Sequence, residues 1–200
     1  WAFRESGLQS ITLPSSLTTI EKYAFVRCVS LQEVTIPAGV TKIENSVFSD
    51  CASLKKVTFL GDVASIGYSA FSRSGLESID LPESLTNLGE FTFFGSNLKE
   101  IVLPTGVTKV PSSVFGSCKN LQSVTLLGEV TEIDSYAFSG AALQSIHLPD
   151  SVVSIGEQAF QGTNLTEVRI PRDCTEIKTR AFHESTVEKF VVAPDNQTFT

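Results

Sequence analysis

Residues 31–51 read LQEVTIPAGVTKIENSVFSDC, and residues 98–118 repeat this stretch as LKEIVLPTGVTKVPSSVFGSC. Both follow the pattern L-x-x-I-x-L-P-x-x-V-x-x-I-x-x-x-A-F, in which aliphatic residues replace one another. The two stretches are 67 residues apart, which corresponds to three shorter repeats of 22 or 23 residues. Internal repeats with periods of 20 to 50 residues are typical of solenoid proteins.

A phenylalanine closes each repeat and accounts for most of the 14 Phe residues of this Met-free chain. The members of this Phe column are Phe25, Phe48, Phe71, Phe93, Phe115, Phe138, Phe160 and Phe182. We number the repeats as coils 1–9 from their leading residues, which are Leu8, Leu31, Leu54, Leu76, Leu98, Leu121, Leu143, Leu165 and Val187. A single coil cannot bury its apolar residues alone, so stacked coils are expected to align the Phe residues into a continuous spine.

The spacing within one coil predicts its local structure. The I-x-L pair has period two, which indicates a first strand with both side chains on one face. Proline then ends the strand in most coils because it has no N–H for a ladder. The Thr-rich V-x-x-I stretch favours a short second strand. The remaining residues up to A-F are too few for a helix and predict a single 3₁₀ or α turn on the outer side.

A longer period of three coils overlies the short one. Coils 3 and 6 replace the proline by Leu60-Gly61 and Leu127-Gly128, and coils 2 and 5 share G-V-T-K and V-F-x-x-C. We interpret this as duplication of a three-coil unit. Residues 1–200 are expected to form one solenoid with eight full repeats from Leu8 and partial repeats at both ends. Neither end resembles the polar cap that a solenoid needs, so we expect a fragment of a longer protein.

Composition excludes several classes of partner. The hydrophobic fraction of 42% is sufficient for a buried core, and the net charge is −7 with a pI near 4.9. An acidic chain is a poor partner for nucleic acid. The apolar runs are far shorter than the roughly 20 residues of a membrane helix, so no membrane insertion is expected in this segment.

Leu31–Cys51 and Leu98–Cys118 resemble the BspA-like (bacterial surface antigen) subclass of leucine-rich repeats, and the resemblance extends over essentially the whole chain. The Asn that usually follows the first strand of leucine-rich repeats is missing. The resemblance implies a right-handed leucine-rich repeat solenoid with a parallel sheet on its concave side. It also implies a secreted or cell-surface module for protein–protein interaction, with adhesion to host matrix or plasma proteins as its role. A structural spacer without a binding role is the alternative.

The residues offer little for catalysis. The two histidines, His147 and His183, lie in neither an H-E-x-x-H nor a G-x-S-x-G setting. We therefore expect no enzyme, no cofactor and no metal site. The four cysteines are expected to be small buried hydrophobes. Cys28 and Cys51 occupy adjacent coils, however, and are also within reach of a disulfide.

Two surfaces are candidates for binding a partner. The first strands carry an outward column that is mostly Thr, and Asp80, His147 and Arg169 depart from it. These three residues either mark a contact patch or belong to a solvated face on which neighbouring charges, such as Glu167 and Lys189, pair.

The second candidate surface is aromatic. Tyr68, Phe91 and Phe94 lie outside the core columns, in the outer turns of coils 3 and 4. A cluster of exposed aromatic residues suggests an interface. The alternative is that these side chains pack over the neighbouring coil.

Overall fold

The structure is a computed structural model that describes residues 1–199. Within this range there is no helix, and every strand has two or four residues. All strands pair in parallel with strands of adjacent coils, in a register one repeat apart. The predicted leucine-rich repeat solenoid is confirmed.

The strands alternate between two sides of each coil. The first strands are β1 (Glu33–Ile36), β3 (Lys56–Phe59), β6 (Glu100–Leu103), β8 (Ser123–Leu126), β10 (Ser145–Ile146), β12 (Glu167–Ile170) and β14 (Lys189–Val192). The second strands are β2 (Lys42–Ile43), β4 (Ser65–Ile66), β5 (Asn87–Leu88), β7 (Lys109–Val110), β9 (Glu132–Ile133), β11 (Ser154–Ile155) and β13 (Glu176–Ile177).

Neither side is one continuous sheet. The first strands form the groups β1-β3, β6-β8-β10 and β12-β14, whereas the second strands form β2-β4-β5 and β7-β9-β11-β13. Residues 10–13 and 78–81, in coils 1 and 4, form no strand, and β10 of coil 7 is only two residues long. The weakest first strands therefore recur every third coil, in phase with the 67-residue period.

The outer turn differs from the predicted 3₁₀ or α turn. Overlapping β-turns are closed by N–H donors of Ala24 and Val26 to the carbonyls of Glu21 and Tyr23, at 3.1 and 3.3 Å. Tyr23 has a φ of 62°, in the left-handed region. Left-handed residues recur through every complete outer turn, most of them not glycine, and they prevent the chain from continuing as a helix.

Hydrogen bonds between coils hold these turns in place. Around Phe25, for example, the N–H groups of Tyr23, Phe25 and Arg27 donate to carbonyls of the next coil at 3.2, 3.0 and 2.8 Å. The same three bonds recur along the stack and form a third ladder on the outer side. This ladder offsets the cost of the left-handed residues because each of them before Arg180 contributes a hydrogen bond to the next coil.

The Phe column forms the predicted spine. From Phe3 to Phe182, successive rings stack with centroids 4.9–5.8 Å apart and planes within 15° of parallel. Every ring from Phe25 to Phe160 is fully buried, and Phe182 is half-buried. Burial of each Phe side chain contributes about 1.5–3 kcal/mol.

The cysteines are buried free thiols, as the hydrophobe interpretation predicts. Cys28, Cys51 and Cys118 donate their Sγ–H to the carbonyl of Phe3, Phe25 or Phe93 in the preceding coil, at 2.9–3.1 Å. Burial raises the pKa of the Cys51 thiol to about 12. These three thiols therefore join coils, and the raised pKa keeps the Cys51 thiol protonated at neutral pH.

Candidate functional site

The first-strand face, meaning the outward side chains of the first strands, carries the three predicted polar residues at different depths. Asp80 and His147 are exposed, whereas Arg169 is half-buried. Asp80 lies in the unpaired segment 78–81, His147 directly follows β10, and Arg169 lies within β12. Asp80 and His147 are three coils apart, or roughly 15 Å at the spacing of parallel strands, so they form no catalytic pair.

A groove of about 360 Å³ opens beside Asp80 and extends to coil 6. Coil 4 contributes the carboxylates of Asp80 and Glu83, coil 5 contributes Glu100 and the exposed Val102, and coil 6 contributes Ser123. None of the residues that line this groove is Lys or Arg. The groove therefore offers carboxylates and an apolar side chain to solvent on one side of the solenoid.

Arg169 is held by an ion pair. Its Nη1 donates to Oδ1 of Asp150 at 2.6 Å, and the same oxygen accepts the N–H of Arg172 at 3.1 Å. The hydrogen bond from Arg169 is the main cause that lowers the pKa of Asp150 below its ordinary value. Arg169 therefore orders the edge of the face in addition to being accessible on it.

Ion pairs between coils neutralise part of this side of the molecule. The predicted pair Glu167 and Lys189 is formed, with Nζ 2.9 Å from Oε2. Sequence reasoning missed a second arrangement, in which Glu77 bridges Lys55 at 3.2 Å and Lys99 at 2.7 Å. Lys99 and then Lys55 lower the pKa of Glu77. The 22-residue spacing of these three residues could have indicated the bridge.

The aromatic cluster of Tyr68, Phe91 and Phe94 is brought together on the outer turns. Ring centroids are 5.4 Å apart for Tyr68–Phe91 and 5.6 Å for Phe91–Phe94, with interplanar angles of 52° and 56°. Tyr68 is 47% exposed, whereas both Phe rings are half-buried. A Cβ at Gly116 would lie 3.0 Å from the Phe94 ring. The Phe94 ring therefore packs over coil 5, as the alternative interpretation predicts, and Tyr68 is the most accessible member.

Residues 1–199 lack two features that would indicate other kinds of function. No group of three or more His, Cys, Asp or Glu in this range is arranged to hold a metal ion. Across the same residues, no helix has the length and apolarity needed to cross a membrane.

Comparison with known families agrees with the architecture. The family model described as "BspA type Leucine rich repeat region" matches residues 1–99 and 86–200 in six copies. The chain belongs to the BspA-type leucine-rich repeat family. Leucine-rich repeats are in general a binding and scaffold fold rather than an enzymatic one. A comparison with curated proteins finds no similar sequence.

Solved structures show the same fold. A leucine-rich repeat protein of Bacteroides ovatus is 22% identical, with a TM-score of 0.69 over 92% of this chain and 63% of its own. One from Eubacterium ventriosum is 22% identical, with a TM-score of 0.66 over 92% and 60%. The pneumococcal vaccine antigen PcpA is 22% identical, with a TM-score of 0.57 over 95% and 55%. The chain thus spans less than two thirds of each of these proteins.

Proposed function

We propose that the chain is an extracellular or cell-surface module that binds a protein partner through its first-strand face. Its family and the vaccine antigen among its structural neighbours support a protein-interaction repeat module. We choose this surface because Asp80 and His147 are exposed. They stand in a column in which Thr is the most common residue, and Thr would be enough to form the strand. The groove beside Asp80 gives a partner side chain a place to enter.

The first-strand face is a better candidate than the aromatic cluster. Binding surfaces need side chains that are accessible before the partner arrives, and Asp80 and His147 meet this condition. The Phe91 and Phe94 rings are already largely engaged with each other and with coil 5. Arg169 contributes to the proposed surface through the part of its guanidinium that Asp150 does not cover.

The proposed partners are host extracellular-matrix or plasma proteins, so that the module acts in adhesion. A panel of such purified proteins, immobilised and probed with the protein by biolayer interferometry, tests this proposal. The informative variant is Asp80→Thr/His147→Thr, because Thr is the residue of the same column at Thr12, Thr35 and Thr58. Lys119→Thr, on an exposed outer turn, is the matched control.

We expect at least one panel member to bind the wild-type protein and the Lys119→Thr variant alike, and to bind the double variant about tenfold or more weakly. A tenfold change corresponds to about 1.4 kcal/mol of binding free energy. Binding that is unchanged in the double variant would move the site away from the first-strand face. The absence of binding to every panel member would remove the adhesion proposal.

A structural spacer is the second candidate. It is favoured by the ladders between coils and by bridges such as Lys55–Glu77–Lys99, which stiffen and solvate the stack without any partner. A spacer predicts no saturable binding by wild-type protein to any panel member. We also propose that the chain is secreted or at the cell surface, acts as one module and is not an enzyme.

A further inference from the structure

The contact between coils 4 and 5 lacks both strand ladders. Residues 78–81 form no strand, so β6 has a strand partner only on the side of coil 6. The second strands are also interrupted here, because β5 pairs with β4 and β7 pairs with β9. Between coil 2 and coil 8, this is the one junction where the pairing of the second strands stops.

Pro111 explains the interruption of the second strands. In coils 3, 4, 6, 7 and 8, the residue after the second strand donates its N–H to a carbonyl of the preceding coil. These bonds are Gly67–Ile43, Gly89–Ile66, Asp134–Val110, Gly156–Ile133 and Lys178–Ile155, at 2.7–2.9 Å. Pro111 occupies this position in coil 5 and has no N–H, so the Leu88 carbonyl cannot receive the equivalent bond.

Packing is looser at the same junction. The Phe93 and Phe115 centroids are 5.8 Å apart, the widest spacing in the spine. Leu88 of coil 4 is partly exposed, although it occupies a core column. The same column is buried in coils 1–3 and in coils 5–7. The groove beside Asp80 opens over this junction.

The outer turns remain joined across the junction. The N–H groups of Phe91, Phe93 and Gly95 donate to Ser112, Val114 and Gly116 at 3.1, 3.0 and 2.8 Å. One further backbone bond, from the N–H of Lys99 to the carbonyl of Glu77 at 3.0 Å, precedes the first strand. The two coils are therefore held along their outer side and are weakly joined on their strand sides.

We propose that the junction of coils 4 and 5 is a hinge between two stiffer blocks, coils 2–4 and coils 5–8. The outer-turn ladder acts as the hinge line, and the strand side opens. Opening separates Glu83 on one lip of the groove from Glu100 on the other and changes the shape of the first-strand face. This inference concerns the mechanics of the solenoid and does not depend on the proposed function.

Hydrogen exchange measured by mass spectrometry tests the hinge, because local opening determines the exchange of hydrogen-bonded amides. Residues 99–111 report on the junction of coils 4 and 5, and residues 122–134 report on the fully paired junction of coils 5 and 6. We expect amides of 99–111 to exchange on average about tenfold or more faster. Equal exchange in the two segments would overturn the proposal.

The variant Pro111→Glu restores an N–H opposite the Leu88 carbonyl and resembles coil 6, where the acidic Asp134 makes the equivalent bond. We expect exchange of 99–111 to slow several-fold and exchange of 122–134 to stay unchanged. Ser112→Glu adds the same charge one residue later without a new donor, and it should leave both segments unchanged. If the Pro111→Glu variant folds and its exchange is unaltered, the hinge is contradicted. If the variant does not fold, the comparison of residues 99–111 with residues 122–134 in the wild-type protein decides the question.

Discussion

At the residue scale, the Phe side chain of each coil contributes most to fixing how the coils stack. A Phe at 22- or 23-residue spacing places a fully buried ring on the ring of the coil before it. Parallel stacked rings at 5–6 Å fill the space between the outer turn and the strands, so the position of each coil depends on its two neighbours. Removing one ring should therefore disturb three coils.

Phe115→Ala tests this dependence. The substitution removes a fully buried ring from the middle of the spine and leaves a cavity, so we expect the free energy of unfolding to fall by about 3–5 kcal/mol. Chemical denaturation followed by circular dichroism measures the loss. Tyr136→Ser is the control, because the same position of coils 2, 3 and 5 carries Ser46, Ser69 and Ser113, and it should cost less than about 1 kcal/mol. A loss below about 1 kcal/mol for Phe115→Ala would contradict a buried spine.

Sequence reasoning predicts the Phe column but not the backbone of the turn around it. Gly95, Gly140 and Gly162 are left-handed, as glycine permits, but Phe91 and Tyr136 adopt φ values of 57° and 60° as well. Non-glycine residues give no local signal for this conformation. Their φ values depend on hydrogen bonds to the next coil, which become visible only once the coils are stacked.

In the C-terminal segment, Asn196 has a structural role that the repeat pattern does not indicate. The sequence departs from the repeat after Val192, yet Asn196 occupies the buried V column one coil after Cys174. Its Nδ2 donates to the carbonyls of Pro171 and Cys174 at 2.8 and 2.9 Å. Its Oδ1 accepts the N–H groups of Thr198 and Phe199, both at 2.8 Å. An amide side chain thus replaces an apolar one where it can satisfy four backbone groups.

At the scale of single elements, the replacement of proline by Leu-Gly helps to explain why the first strands pair in separate groups. Leu60 donates its N–H to the carbonyl of Ile36 at 3.0 Å, and Leu127 donates to Leu103 at 3.1 Å. Coil 9 carries Ala193 at this position, and its N–H donates to Ile170 at 3.0 Å. Proline provides no such donor in the remaining coils. Coils 3, 6 and 9 therefore gain a bond to the coil before them. The three-coil period is visible in the sequence, but its consequence for the pairing of the first strands is not.

Gly61→Ala tests the close approach that accompanies this extra bond. A Cβ at Gly61 would lie 2.4 Å from the Ala38 carbonyl oxygen and 2.6 Å from its Cα, so the backbone of coil 2 would have to move. We expect a loss of about 1–3 kcal/mol in the free energy of unfolding, measured by urea denaturation. Gly7→Ala is the control, because nothing lies within 4 Å of a Cβ there. Equal stability of the two variants would show that coils 2 and 3 are not tightly joined.

The elements of the candidate site are predictable to different degrees. Asp80 and His147 are exposed, as their place in an outward column predicts. The groove beside Asp80 is not predictable from one coil, because it depends on the missing strand at 78–81 and on side chains of coils 5 and 6. The ion pair of Arg169 joins two coils through Asp150, which no column of the repeat indicates.

At the scale of the whole molecule, the surface charges predict how stability changes with pH. Salt bridges lower the pKa of Glu77 and Asp150 below ordinary values of 4.5 and 3.8, with Lys99 and Arg169 as the respective main partners. The folded state therefore binds fewer protons than the unfolded state near these values. The stabilisation is fully present above the ordinary values and is lost as the pH falls through the lowered ones.

Urea denaturation at several pH values between about 7 and 3 measures this dependence. Below about pH 4.5, we expect the urea concentration at the unfolding midpoint to decrease. The decrease should be less steep in the Glu77→Gln variant, because the Gln side chain cannot titrate. Salt at about 1 M should flatten the profile because it screens exposed pairs. A midpoint that rises as the solution is acidified would show that these carboxylates do not stabilise the fold.

Binding also belongs to the whole molecule, because the first-strand face and the aromatic cluster are two surfaces of one stack. The direct measurement is the dissociation constant of one bound panel protein for two variants, Asp80→Thr/His147→Thr and Phe91→Ser/Phe94→Ser. Both pairs restore residues that neighbouring coils carry at the same positions. We predict an affinity loss of about tenfold or more for the first variant and no change for the second. A loss confined to the Phe91→Ser/Phe94→Ser variant would contradict the assignment of function to the first-strand face.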